Sequence, residues 1–417
     1  MFTSFAYIVA KEVSFDKCVE WKLADLYANE TIVLMCLSFY GIICLQSERD
    51  KYDAKGSVRM NITFLIGNGF DIGLGMPTRY EDFYEHYCKV ITGENGDSNN
   101  IVEFKTMLVS RNDDKKKRII DWADFEKAFG EHSSDLKFNR KADYLARFED
   151  FTEKFNAYLE TVESCTECSN DAEVGKTMDN AVKTYKCIRK ADEDALDAHR
   201  SKFNNDRRYN FVCFNYTKSL DLCIDKLRQT LKNDRSRNVG SVVHIHGFIE
   251  NNMILGVNDA SQITDVELSK DEDVIRELVK PSQNEVARSG YENAFKSVIN
   301  SSDLICIYGM SLGETDRKWW DMISTWLSQS ERRVLVILKH EEKYSSRFPH
   351  IQDRIIRPIR ERFLSYSSLT DEIKQKVSER IFVGINNDVF AMPLFNSEKF
   401  EEKMKKVETD SRLLAIV

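Results

Sequence analysis

The sequence predicts an α/β fold: a Rossmann-like, mostly parallel sheet with a large helical insertion. Three observations predict it. Short apolar runs recur along the chain, each about the length of a buried strand. Charged segments with helical periodicity separate them, and alternating strands and helices build parallel sheets covered on both faces. One stretch, residues about 101–205, is helical and charged throughout, which marks it as an insertion after the first strand and helix.

The first strand is read from Ile62, Phe64, Leu65 and Ile66. It ends in Gly67-Asn68-Gly69, followed by Phe70, Asp71, Gly73, Gly75 and Met76-Pro77. Two glycines around a small polar residue let the backbone turn sharply and approach a ligand. A strand entering such a turn is how doubly wound sheets hold nucleotide phosphates. Ile72 stands where the third glycine of GxGxxG would fall, so a tight turn without a ligand is the competing reading.

Glu81 to Tyr84 opens a helix, and Lys89 to Asn100 is a polar loop. Within the insertion, Trp122, Phe125 and Phe129 share one helical face, as do Phe151, Phe155 and Tyr158. Glu126 is read as a surface residue of that first helix, with a ligand-facing carboxylate as the alternative. Asp113 to Arg118 is a solvated charge run. The α/β core resumes at Tyr209. Strands are expected over 209–215, 241–247, 253–257, 303–309, 333–339 and 380–385, with helix over 264–300.

Composition is that of a globular chain, 42% hydrophobic and 31% charged over 417 residues. A net charge of −8 argues against a broad nucleic-acid surface. Several of the ten cysteines, Cys213 and Cys306 among them, sit in apolar runs as reduced core cysteines do, which points to the cytoplasm. Cys165-x-x-Cys168 lacks a second pair, so no zinc or other metal is expected. Residues 1–59 are read as an extension upstream of a start at Met60. The apolar run 31–45 falls short of the roughly 20 residues of a spanning helix, which disfavours membrane association. An apolar anchor and a buried helix remain the other readings of it.

Polar motifs fall at predicted strand ends: Gly67 to Asp71, Asn215-Tyr216-Thr217, His246-Gly247 and Gly309-x-Ser311. Ligands sit at the carboxyl ends of such strands, so the fold would gather these motifs at one edge. Asn215 offers an acceptor and two donors, or simply closes a turn. His246 titrates near neutrality and suits general base work, with a hydrogen-bonded structural role as the alternative. Alternation would place His244 on the same strand face, in a more structural role; with only two histidines, a metal site lacks a third ligand. Asp316 caps a helix or binds a ribose hydroxyl. Ser311 also fits the hydrolase pattern GxSxG, but His340 and His350 do not follow in a convincing order.

Two families carry these patterns. Ile66 to Phe83, IGNGFDIGLGMPTRYEDF, resembles the opening of the bacteriophage abortive infection AbiH family, IGNGFDxxxGxPTxYxDF. Gly309 to Asp316 resembles its GxSLGxxD, and Trp122 with Glu126 resembles a further pattern of it. The resemblance runs from about Met60 to the end. The spacing from Gly67 to Asp71 and on to Gly75-Met76-Pro77 is also similar to GAGxS and GIP of sirtuin-type NAD-binding proteins.

These resemblances imply a sirtuin-like core, a role in phage defence by halting growth of the infected cell, and NAD as ligand or substrate. They imply hydrolysis of the nicotinamide–ribose bond, with His246 as proton acceptor and Asn215 orienting ribose or water. The pyrophosphate would sit on the Gly67–Gly69 turn, and further cofactor contacts would come from Asn68, Phe70, Asp71, Pro77 and Thr217. Gly309, Ser311 and Asp316 would meet the adenosine side. Thr217 stands where sirtuins place an aspartate, a departure in the recognition of nicotinamide. A phage-derived trigger and a homo-oligomer are further candidate partners. The competing functions are a nucleotide sensor without turnover and a nuclease holding a metal between Asp71, Glu126 and Asp316.

Overall fold

A computed structural model describes residues 59–92, 122–135, 140–167, 170–184, 186–287, 290–340 and 348–414. The apolar run 31–45, the charge run 113–118, Cys168 and the loop beyond residue 92 lie outside the described residues, as do the side chains of Trp122 and Phe125.

Strand β1 (Met60–Ile66) is buried along its whole length. It leads through helix α1 (Gly69–Gly73) to α2 (Tyr80–Thr92). The insertion contributes α3 (Trp122–Glu131), α4 (Arg140–Glu163), α5 (Asp171–Ala181) and α6 (Lys190–Arg200). Then follow β2 (Arg207–Cys213), α7 (Ser219–Thr230) and β3 (Arg237–His244). Helices α8 (Glu272–Leu278), α9 (Lys280–Val286) and α10 (Tyr291–Ser301) precede β4 (Leu304–Tyr308). The chain continues through α11 (Arg317–Ser328), β5 (Val334–Lys339), α12 (Pro349–Ser365), α13 (Asp371–Ser378), β6 (Ile381–Ile385) and α14 (Ser397–Leu414).

Among the described residues the sheet has six strands in the order β3-β2-β1-β4-β5-β6. Every neighbouring pair is parallel. This is the order of a doubly wound, Rossmann-like sheet, whose strand order reverses between β1 and β4 and opens a crevice at their carboxyl ends.

Alternation along β1 feeds two cores. Ile62, Phe64 and Ile66 join the layer that includes Phe151, Phe155 and Tyr158 of α4. Leu65 points into the layer of Trp320 and Trp326 from α11. Phe129 is buried in the first layer, where its ring meets Phe148 and Phe151 edge-on. Among the described residues no helix is long and apolar enough to cross a membrane.

Two expected strands come out differently. Met253–Val257 forms no strand; Val257 makes a single bridge to Val279. Positive φ angles at Glu250, Asn252 and Gly256 break the extended run, and Ile254 and Leu255 are buried by packing instead. The strand expected over 241–247 runs from Arg237 to His244, and Gly247 turns at φ +67°. His246 therefore lies past the strand, and the alternation argument that paired it with His244 does not hold. His244 instead faces Asp221, with Nε2 2.7 Å from Oδ2.

Candidate functional site

The β1 and β4 turns pack directly on each other. Gly67 N donates to the Tyr308 carbonyl at 2.9 Å and Gly69 N to the Gly309 carbonyl at 2.8 Å. A Cβ on Gly69 would lie 2.5 Å from Gly309 Cα, so only glycine permits this approach. Gly309 itself sits at φ +68°. These glycines were expected to admit a pyrophosphate. They admit a neighbouring turn, and the amides of Gly67, Gly69 and Phe70 are already spent on protein carbonyls.

The rest of the PT motif braces that turn. Asn68 Nδ2 donates to the Thr78 carbonyl and Thr78 Oγ1 donates to Asn68 Oδ1, both at 2.7 Å. The Pro77 carbonyl accepts from Tyr158 of α4 at 2.7 Å. Phe70 is fully buried in the core, its ring edge-on to Phe390. Phe70 and Pro77 are the two predicted site residues that do not line the cavity at this edge.

That cavity has a volume of about 420 Å³, within the range of small-molecule sites. The first turn contributes Gly67, Asn68, Gly69 and Asp71; the end of β2 contributes Asn215 and Thr217. His246, Gly309, Ser311 and Asp316 complete the predicted set. The fold gathers four motifs from distant sequence at one sheet edge.

Its buried wall holds a network of charges. Lys280, at the start of α9, is 5% exposed. Its Nζ lies 2.7 Å from Glu126 Oε2 and 3.4 Å from Asp316 Oδ1. Burial alone would lower the ammonium's pKa, but the two carboxylates together raise it. Burial likewise opposes the Asp316 charge, and Lys280 and His246 more than offset it, holding that carboxyl well below its usual range. Asp316 precedes α11 yet makes no side-chain cap bond there, so the capping role is not the one it plays. Glu126, expected on the surface, is 4% exposed and lines the cavity.

His246 is held on two sides. Its Nδ1 lies 3.3 Å from the Phe214 carbonyl, which can only accept, so Nδ1 carries the proton. Nε2 lies 3.1 Å from Asp316 Oδ1 without hydrogen-bonding alignment. Nε2 thus also faces an acceptor, the Asp316 carboxylate. Tyr216 stacks on the ring at 6.1 Å and Phe214 meets it edge-on.

Asp71 is 1% exposed and accepts from Thr217 Oγ1 at 2.7 Å and from Ser219 Oγ. Burial pushes its carboxyl up to about 6, against the opposing pull of those two hydroxyls and the nearby Asn215 amide. Asn215 Nδ2 is near enough to Asp71 to favour its charge, yet it is buried and out of hydrogen-bonding geometry with Asp71 or any other described group. The Thr217 hydroxyl is committed to Asp71, which accounts for a threonine where an aspartate would add a second buried charge. Arg79 and Arg362, and the half-buried Lys339, give the exposed part of the cavity a cationic lining.

Residues 63–338 match the family model described as bacteriophage abortive infection AbiH. The chain belongs to the AbiH family. The match runs from within β1 to nearly the end of β5, and takes in both glycine turns and the whole Lys280 network. Membership suggests a part in antiphage abortive infection. No curated protein matches this AbiH chain.

The cavity includes residues to which the sequence reading gave no role: Lys280, Thr315 and Arg79. Lys280 stands in LVKPSQ, where only the lone charge between an apolar pair and a helix-initiating proline hints at burial. Arg79 and Thr315 lie inside motifs already quoted, between better-known letters.

Proposed function

We propose that this AbiH protein binds NAD at the β1–β4 crevice and hydrolyses its nicotinamide–ribose bond during abortive infection. The observation behind the reading is His246. With Nδ1 donating to the Phe214 carbonyl, Nε2 is the nitrogen left to accept a proton in the neutral ring, and Asp316 3.1 Å away would balance the charge it gains.

The chemistry balances simply. The C1′–N bond breaks, its electron pair leaves with nicotinamide, and an oxocarbenium-like ribose forms, as in glycoside hydrolysis. Water adds to C1′ and its proton passes to His246 Nε2. Asp316 stabilises the imidazolium until the proton is released to solvent, leaving ADP-ribose. Asn215 orients the ribose or the water. Since the amides of Gly67, Gly69 and Phe70 donate to protein carbonyls, the phosphates fit the cationic lining of Arg79, Lys339 and Arg362.

A second reading, nucleotide sensing without turnover, is favoured by the same Asp316, which holds Nε2 against a carboxylate rather than open space. The nuclease reading has less behind it. Lys280 lies between Glu126 and Asp316, where a divalent cation would have to stand.

The test is nicotinamide release from NAD by the full chain, with His246→Gln and Asn215→Ala alongside. Release by the parent and loss in both folded variants is the expected result. A parent that releases no nicotinamide, with or without phage lysate as trigger, would leave the hydrolase reading without support. NAD binding in that case would favour the sensor.

A further inference from the structure

Three of the buried polar atoms that lack a hydrogen-bond partner among the described residues belong to one cavity: Asn215 Nδ2, His246 Nε2 and Thr315 Oγ1. Buried polar groups are nearly always paired, so each such orphan calls for an explanation. His246 is explained by Asp316. Thr315 is not. It is 1% exposed, and valine would fill the same space without a hydroxyl to satisfy.

We propose that Thr315 and Asn215 are the hydroxyl-binding pair of the cavity, and that they take the vicinal diol of a ribose. The proposal rests on the nucleotide reading of the site and adds the group that the buried end recognises. Thr315 directly precedes Asp316 in the chain and Asn215 directly follows Phe214, whose carbonyl holds His246, and Thr315, Asp316, Asn215 and His246 all line this one cavity. Glu126 adds a third element. Its Oε1 is met only by long contacts of 3.5 Å from Tyr216 Oη and Gly256 N.

The donor set decides the ligand group. An amide donor, a hydroxyl that both donates and accepts, and an under-used carboxylate oxygen match two adjacent hydroxyls, which each donate and accept. A phosphate does not fit here, because Glu126, Asp316 and Asp71 would repel it. Apolar groups would leave Asn215 Nδ2 and Thr315 Oγ1 unpaired.

The experiment compares the parent full chain with Thr315→Val and Thr315→Ser in calorimetric titration with ADP-ribose and its deoxy analogues, alongside ligand-free thermal unfolding. Thr315→Val should melt at or above the parent temperature, because it removes an unsatisfied buried hydroxyl. Its affinity for ADP-ribose should fall about 10- to 100-fold, Thr315→Ser should stay near the parent, and a deoxy analogue should cost Thr315→Val little more. Parent-like ADP-ribose binding by Thr315→Val, or a lowered melting temperature, overturns the proposal and leaves the nucleotide reading standing. A parent that binds neither ADP-ribose nor NAD overturns both.

Discussion

Lys280 Nζ lies 2.7 Å from Glu126 Oε2, and both side chains are buried although the residues come from α9 and the inserted α3. This pair ties the helical insertion to the sheet edge, and the ammonium continues to Asp316 at 3.4 Å. The insertion is therefore part of the cavity wall, since Glu126, one of the three acids lining the cavity, comes from it.

Lys280→Met should destabilise the protein by about 3–5 kcal/mol, because it leaves Glu126 and Asp316 buried with no cation between them. Removing one acid as well, in Lys280→Met with Glu126→Leu, should recover part of that loss. Urea unfolding of parent, single and double variants reads the difference. A single variant as stable as the parent would mean that the pair is broken in solution.

The fold was legible where local pattern decides it. Apolar runs ending in Gly67 and Gly309 marked β1 and β4, because buried parallel strands need continuous apolar sequence. Met253–Val257 misled for the opposite reason, since an apolar run can be buried without pairing. Asn215, His246 and Asp316 were legible from motifs. Lys280 was not: its partners at 126 and 316 meet it only through the tertiary fold, and no spacing encodes that.

Asn68→Ala should cost about 1–3 kcal/mol, since it removes two short hydrogen bonds to the buried Thr78. Thr78→Val removes one of the two. In a double-mutant cycle the pair should cost clearly less than the sum of the single changes, because both act on one contact. Strict additivity in thermal unfolding would show that Asn68 and Thr78 act independently.

Gly309→Ala should cost roughly 3 kcal/mol or more, from left-handed backbone strain together with overpacking. The new Cβ would meet Gly69 Cα at 2.8 Å and Gly69 N at 2.9 Å, backbone atoms that cannot swing aside. Gly290 provides the control. It has nearly the same φ, +66°, but no atom within 4 Å of an added Cβ. Gly290→Ala should therefore cost only about 1 kcal/mol, the strain alone. Equal losses at the two positions would remove the evidence that the β1 and β4 turns touch.

Asp71 gives the pH prediction. Its carboxyl titrates near 6 in the folded protein, against 3.8 for the free side chain, because burial disfavours the charge. Between those values the folded state holds a proton that the unfolded chain has released. Its contribution to stability is therefore greatest below pH 4 and is lost as pH rises through 6. A shift of about two pH units corresponds to about 3 kcal/mol. Asp71→Asn, which has no such proton to lose, should gain about that much relative to the parent between pH 4 and pH 7 in urea unfolding. The comparison is made as a difference, so every other titrating group cancels. A flat difference would mean that Asp71 stays ionised throughout, with Thr217 and Ser219 carrying the whole cost of its burial.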